Sequence, residues 1–151
     1  TKEIASKVEN LELTKWMPQV DLLAHPKLSA FMTHGGMGST QETAWRGVPG
    51  IFVPLFGDQH RNAEMMEHNG IGKVMNKHDF ADPAKFTAVV REVTENESYR
   101  KNAQRISKML HKKPFSTRDL IVKYTEFAAE FGASKSLRPQ SHDMNWIEYN
   151  N

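Results

Sequence analysis

The sequence predicts an α/β protein, with a parallel sheet in its first half and helices alone in its second half. Short apolar segments of strand type alternate with helical segments between residues 28 and 75, which is the pattern of a parallel sheet. The run Ile51-Phe52-Val53 has no polar alternation, as expected for a strand covered on both faces. Beyond about Phe80 the apolar spacing is helical throughout. Together these patterns favour alternating strands and helices, followed by helices.

The composition is that of an ordinary globular domain. The 151 residues are 38% hydrophobic and 25% charged, and their net charge is +2. Because the basic residues are spread along the chain, nucleic acid is a poor candidate for a partner. No apolar run approaches the roughly 18 residues of a membrane span, and Thr1 to Asn10 lacks a signal-peptide core. Without cysteine, the chain has neither disulfides nor thiolate metal sites, and we expect it to be soluble.

The alternating part is predicted to contain three strands joined by two helices. The strands are expected at Leu28 to Thr33, Gly50 to Leu55 and Gly72 to Met75, after a helical turn at Val20 to Ala24. Ser39 and Glu42 fit a capping box, in which each satisfies a free amide of the other, and Gly47 ends this first helix. Asp58 is predicted to cap the second helix, which stops at Gly70.

Three more helices are predicted in the second half. Asp82 caps the first and Ser98 caps the second. The third begins near Ser116 or Thr117 and stops at Gly132, and an irregular tail, residues 133–151, follows it. Each helix has an apolar face that we expect to be buried. These faces consist of Phe86, Val89, Val90 and Val93; Tyr99, Ala103, Ile106 and Leu110; and Leu120, Ile121, Tyr124, Phe127, Ala128 and Phe131.

Glycines and polar residues follow the first strand at the sheet edge where α/β proteins bind ligands. The run Thr33-His34-Gly35-Gly36-Met37-Gly38-Ser39 places three glycines before a helix start. Glycine lets the backbone approach a phosphate, and the free amides and dipole of the helix attract it. The spacing is neither the dinucleotide fingerprint nor the P-loop, and a plain tight turn is the commoner explanation. His34 is either a structural hydrogen-bonding group or a donor to a diphosphate oxygen.

Four other residues also have both a structural and a functional interpretation. Glu42 is a capping-box partner or an acceptor for two ribose hydroxyls. Asp58 caps its helix with Gln59 exposed beside it, or the pair binds sugar hydroxyls. Trp16 belongs to the core or offers a flat face to a base. Taken singly, these residues leave both interpretations open.

Taken in order, these residues resemble the signature of the UDP-glycosyltransferase family. The matching positions are Trp16-Met17-Pro18-Gln19, Leu22-Leu23, His25-Pro26, Phe31, Thr33-His34-Gly35-Gly36, Glu42, Gly47-Val48-Pro49, Pro54 and Asp58-Gln59. The resemblance continues through Asn62, Gly70 to Met75, Leu137-Arg138-Pro139 and His142-Asp143, and these stretches are similar to the membrane-bound animal branch of UDP-glucuronosyl and UDP-glucosyl transferases.

The resemblance implies a fold and a role for each matching residue. The fold would be part of the Rossmann-like C-terminal lobe of a two-lobed GT-B glycosyltransferase, which holds the UDP-sugar donor between its lobes. The implied contacts are Trp16 and Gln19 with the nucleoside, Glu42 with the ribose, His34, Gly36, Gly38 and Ser39 with the diphosphate, and Asp58 and Gln59 with the sugar. Many members carry Asn where this chain has Gly38, so only the backbone can serve there.

The resemblance also implies the reaction and the partners. The full-length enzyme would transfer glucose or glucuronate from UDP to a small lipophilic acceptor, with inversion and without a metal. Its catalytic base would lie in an N-terminal lobe missing here, so this chain is expected to bind donor and to transfer nothing. Both ends look cut: residues 1–132 are predicted as a truncated donor-binding domain and residues 133–151 as a tail leading to a transmembrane segment. The parent would lie in the endoplasmic reticulum membrane, with this lobe on the lumenal side.

Two other function classes remain open. A Rossmann oxidoreductase is disfavoured, because no G-x-G-x-x-G with an acid about 20 residues beyond it is present. A non-catalytic nucleotide-sugar-binding or interaction module would use the helices after Pro83 as a docking surface. Asn96-Glu97-Ser98 is an N-glycosylation sequon, but a pattern this short often arises by chance.

Overall fold

The computed structural model describes residues 8–132 and 138–150, which divide into two compact units after Lys112. Predictions that fall on residues 1–7, 133–137 and 151 lie outside the described residues. The division assigns the last long helix to the second unit. The extent of a donor-binding domain, drawn to residue 132 from the sequence, stays a prediction.

The first unit is an α/β structure on a parallel sheet. Its elements are α1 (Gln19–Leu23), β1 (Phe31–Thr33), α2 (Met37–Arg46), β2 (Gly50–Phe52), α3 (Asp58–His68), β3 (Gly72–Val74), a 3₁₀ helix (Lys77–Ala81), α4 (Pro83–Glu95) and α5 (Glu97–His111). The strands run parallel in the order β1-β2-β3, and Gly50 lies opposite Phe31 on one side and Gly72 on the other. The predicted parallel α/β class is confirmed.

All three strands are shorter than predicted, and at β1 and β2 the backbone beside the strand gives the reason. The carbonyls of Leu28 and Ser29 accept hydrogen bonds from the Arg100 guanidinium at 2.6 and 2.7 Å, so β1 begins only at Phe31. Beyond the end of β2, Pro54 has no N–H with which to continue the ladder.

The sheet is covered on both faces, as the apolar run in β2 predicts. Phe52 is fully buried in a cluster with Ala63 and Met66 of α3, Ala103 of α5, and Ile71, which directly precedes β3. Ile51 and Val53, on the opposite face, pack with Met75 of the β3 end and Val93 of α4. The apolar faces predicted for α4 and α5 contribute to these clusters, so the sheet lies between two helical layers.

Two predicted helix caps in the sheet region are wrong. The N-cap of α2 is Gly36, so Ser39 lies inside the first turn and makes no cap. The N-cap of α3 is Gly57, and Asp58 is the first helical residue. Both helices therefore start without a side-chain cap, because the chain enters each of them through glycine.

The caps of α4 and α5 show one confirmed prediction and one wrong one. Asp82 caps α4 through its Oδ1, which accepts from the amides of Ala84 at 3.0 Å and Lys85 at 3.3 Å. At α5 the cap is Asn96 and not Ser98, whose own amide donates to Asn96 Oδ1 at 3.0 Å. The Asn96 side-chain oxygen thus has a structural role in the fold.

The second unit contains α6 (Thr117–Phe131), a 3₁₀ helix (Gln140–His142) and α7 (Trp146–Asn150). The bounds of α6 are as predicted: its N-cap is Ser116, and Gly132 follows its end. The expectation that the apolar face of α6 is buried is wrong, since Tyr124 is 71% and Phe131 62% exposed. The tail is not wholly irregular, since its described part forms the 3₁₀ helix and α7.

Candidate functional site

The candidate site lies at one edge of the sheet. Two segments meet there: the glycine loop (residues 34–38), which follows β1, and the first turn of α3, which comes shortly after β2. Because β1 and β2 are parallel neighbours, their carboxyl ends lie side by side. This is the edge at which open α/β sheets bind ligands.

The glycine loop rests on α3 and leads into a helix start with free amides. Gly35 has a φ of +83°, and a Cβ there would lie 3.2 Å from the Gln59 carbonyl oxygen, so glycine is required for this approach. A Cβ on Gly36 would lie 2.6 Å from His34 Nε2, which places the imidazole against the loop. Within the described part of the chain, the amides of residues 37–39 have no acceptor. They are available to an anion.

Gly38 differs from the other glycines of the loop. No atom lies within 4 Å of the Cβ that a side chain would add there, and the residue is exposed in the first turn of α2. The packing of this chain therefore does not require glycine at this position.

Gln19 joins α1 to α2 through two hydrogen bonds. Its Nε2 donates to Glu42 Oε2 at 2.7 Å and to Ser39 Oγ at 3.2 Å. The capping-box interpretation of Glu42 is wrong, since the cap is Gly36. The half-buried Glu42 carboxylate is instead oriented by Gln19, and its Oε1 has no hydrogen bond to the described residues. That oxygen is free to accept from a ligand.

Trp16 is a surface residue beside this carboxylate. Its side chain is 86% exposed, so the core interpretation is wrong. Its backbone carbonyl accepts from Thr14 Oγ1 at 2.7 Å, which restrains the turn that carries it. Trp16, Gln19 and Glu42 line one open cavity of about 700 Å³, together with neighbouring residues of the segment 12–21. The cavity thus has a flat aromatic face and a carboxylate, which suits a nucleoside.

Asp58 and Gln59 differ in what they can offer a ligand. Asp58 is exposed, and its Oδ2 accepts from Asn62 Nδ2 at 2.8 Å. Gln59 is only 5% exposed, so the expectation that it is a surface residue is wrong. Its Oε1 accepts from the amides of Leu55 at 2.9 Å and Phe56 at 3.2 Å. Only the Nε2 group of Gln59 remains to donate to a ligand.

Asn62 is the residue to which the sequence pattern assigned no role. It is 3% exposed and donates to Asp58 and also to the Gly35 carbonyl at 3.0 Å. Its spacing of four from Asp58 on one helix is a signal that could have linked the two side chains. The contact to Gly35 crosses 27 positions and has no local signal.

Neither a metal centre nor a membrane span is found in the described part of the chain. Along residues 8–132 and 138–150, no three His, Asp or Glu side chains are arranged to hold a metal ion. Over the same ranges, no helix is both long and apolar enough to cross a bilayer.

The family model of UDP-glucoronosyl and UDP-glucosyl transferases matches residues 5–151. The chain belongs to this family. The match includes every candidate residue described above, so the resemblance found in the signature extends over nearly the whole chain.

Individual members of the family are similar along almost the full chain. UDP-glucuronosyltransferase 2B17 of Mus musculus is 38% identical over 98% of this chain. UDP-glucuronosyltransferase 1A9 of Mus musculus and 1A8 of Rattus norvegicus are each 38% identical over 93% of it. The chain covers only 28% of the first of these proteins and 26% of the other two.

Solved structures support the fold. The glycosyltransferase of kitacinnamycin superposes with a TM-score of 0.68 over 76% of this chain and 30% of its own, at 30% identity. Spinosyn forosaminyltransferase SpnP superposes with a TM-score of 0.70 over 81% of this chain and 31% of its own; at 22% identity it supports the fold alone. The predicted Rossmann-like sheet of a partial GT-B lobe is confirmed.

Proposed function

We propose that this chain of the UDP-glucoronosyl and UDP-glucosyl transferase family holds the UDP-sugar donor of an inverting glycosyltransferase. The observation that carries the proposal is the cavity of about 700 Å³ in which Trp16 and the Gln19-oriented carboxylate of Glu42 lie together. A base stacks on an exposed indole, and the two hydroxyls of a ribose suit a carboxylate acceptor.

The proposed contacts of the diphosphate and of the sugar follow from this placement of the nucleoside. The free amides of the α2 start, with His34 and Ser39, bind the diphosphate, and the helix dipole favours its charge. At Gly36 and Gly38 the contact is made by the backbone. The sugar hydroxyls donate to the Asp58 carboxylate and accept from Gln59 Nε2, since the oxygen of Gln59 is engaged by backbone amides.

In the full-length enzyme, the donor would be UDP-glucose or UDP-glucuronate and the acceptor a small lipophilic molecule. The amides of the glycine loop stabilise the departing UDP in this scheme, and an N-terminal lobe supplies the base and the acceptor site. No residue of this chain is assigned a catalytic role, and no metal takes part. The parent is proposed to be anchored in the endoplasmic reticulum membrane with this lobe in the lumen. On this proposal the chain by itself binds donor and transfers nothing.

Calorimetric titration with UDP, UDP-glucose, UDP-glucuronate and NAD tests the proposal. We expect saturable binding of the three UDP compounds and none of NAD. Trp16→Phe keeps a ring but weakens stacking, so we expect the affinity for the UDP compounds to fall. The matched control Trp146→Phe changes an exposed indole of the second unit and should leave this affinity unchanged. Binding of NAD alone would favour the oxidoreductase class, and silence toward every UDP compound would refute the donor site. Product formation by the isolated chain would refute its inactivity.

A further inference from the structure

Asn62 joins the two parts of the proposed donor site. Its side-chain amide has two hydrogens, and the two acceptors are Asp58 Oδ2 at 2.8 Å and the Gly35 carbonyl at 3.0 Å. Asn62 is 3% exposed, so water has little access to the donating amide. One buried amide therefore connects the carboxylate at the start of α3 with the glycine loop.

At the carboxylate, the bond selects one orientation. Asp58 is exposed, and an exposed aspartate without a partner samples several rotamers. Asn62 holds Oδ2, while Oδ1 has no hydrogen bond to the described residues and remains for a ligand. A charge-assisted bond of this kind is among the stronger ones in proteins.

At the loop, the bond fixes the distance to the same helix. Gly35 already lies close to the α3 backbone, where a Cβ would lie only 3.2 Å from the Gln59 carbonyl oxygen. The bond from Asn62 to the Gly35 carbonyl adds a directional restraint to this contact. The carboxylate and the free amides after the loop are thereby held in one arrangement.

We infer that Asn62 is a positioning residue that sets the Asp58 carboxylate relative to the glycine loop, so that one UDP-sugar contacts both. The inference rests on the proposed function and adds to it a residue outside the direct contacts. UDP lacks the hexose and does not use Asp58. Loss of the Asn62 amide should therefore weaken binding of UDP-sugar more than binding of UDP.

The test compares the affinity ratio of UDP-glucose to UDP in the 151-residue chain and in Asn62→Ala. We expect the ratio to fall about fivefold or more, because a hydrogen bond to a charged group is lost. Asn102→Ala is the matched control: Asn102 Nδ2 also donates to the carbonyl of a positive-φ glycine, Gly70, at 3.2 Å, but on α5. The ratio should stay unchanged in this variant. Asn62→Ser, which keeps one donor, serves the same comparison if Asn62→Ala does not fold.

A double-mutant cycle separates positioning from a general structural role. In an Asp58→Ala background, the change at Asn62 should no longer alter the ratio. Two results would overturn the inference while the proposed function stands. One is an equal loss of affinity for UDP-glucose and for UDP, and the other is an affinity ratio that still falls in the Asp58→Ala background. If the unsubstituted chain binds no UDP at all, both fail together.

Discussion

Among the described residues, the side-chain amide of Gln19 is the one hydrogen-bond donor to the Glu42 carboxylate. Gln19 Nε2 donates to it at 2.7 Å from another helix, so one oxygen is engaged and the other remains for a ligand. On the proposed function, this orientation of a half-buried acceptor would lower the entropy cost of binding the two ribose hydroxyls.

Replacement of Glu42 by Gln tests this residue. The charge is lost and one acceptor becomes a donor, so we expect the affinity for UDP to fall about tenfold or more. Isothermal titration of the variant measures the effect. Glu64→Gln, on the exposed surface of α3, is the matched control and should leave the affinity unchanged. An unaltered affinity in Glu42→Gln would exclude the carboxylate from the donor site.

The two outer glycines of the loop should respond differently to alanine. Gly35→Ala must adopt a φ near +83° and meet the Gln59 carbonyl, which we expect to destabilise the chain by about 1–3 kcal/mol. Gly38→Ala meets no atom and adds a better helix former, so its free energy of unfolding should be unchanged or higher by up to about 1 kcal/mol. Urea denaturation of both variants gives the comparison. Equal losses would contradict this account of the loop.

At the scale of the elements, local patterns located the long helices but identified only some of their caps. Asn96 and Ser98 are both good cap residues, and only the point at which α4 ends decides between them. Ser39 likewise fits a capping box by spacing, yet the chain enters α2 at Gly36 because the loop is held against α3. Which residue becomes the N-cap depends on where the preceding segment ends, and at these two helices the local sequence alone does not determine that position.

Cap substitutions at α5 distinguish the two residues. Asn96→Ala removes the acceptor for the Ser98 amide and should lower the free energy of unfolding by about 1 kcal/mol. Ser98→Ala keeps that bond, so we expect a change within about 0.5 kcal/mol. Chemical denaturation measures both. A larger loss in Ser98→Ala than in Asn96→Ala would restore Ser98 as the cap.

The packing of α4 against α5 predicts an alkaline transition. Burial and a 2.7 Å hydrogen bond to Glu92 raise the pKa of Tyr99 from 10.0 to about 12. Since the folded pKa is above the unfolded one, the neutral phenol stabilises the fold fully below pH 10, and this contribution is lost as the pH rises through about 12.

Denaturation measured from about pH 9 to about pH 13 checks this transition, because that range extends roughly one unit beyond the unfolded and the folded pKa of Tyr99. Tyr99→Phe should lose the part of the pH dependence that Tyr99 causes. Glu92→Gln should lower the Tyr99 pKa, because the carboxylate is the second cause of the shift after burial. Identical pH profiles for the unsubstituted chain and Tyr99→Phe would refute the assignment.

At the scale of the whole molecule, every residue of the proposed donor site belongs to the first unit. The proposed site residues lie between Trp16 and Gln59 in the sequence, and the first unit extends to Lys112. Both apolar clusters around the sheet also lie within it.

A chain ending at Lys112 is therefore expected to keep its affinity for UDP within about twofold, since binding affinity follows the contacts made. Titration of the shortened chain beside the full chain measures this. Circular dichroism verifies that its helices persist. A loss of more than about tenfold in a folded chain would show that residues after Lys112 contribute to the site.

The sequence by itself determined the fold class, the order of the strands and long helices, and the family. Periodicity and motif depend on neighbours along the chain, so the run in β2 was sufficient to predict a strand covered on both faces. Only the tertiary structure decided how the site residues divide their hydrogen bonds. Glu42 proved to be oriented by Gln19 across 23 positions, and Asn62 to hold Gly35 across 27. Contacts of this kind form when distant segments pack together, and no local pattern encodes which atoms will meet.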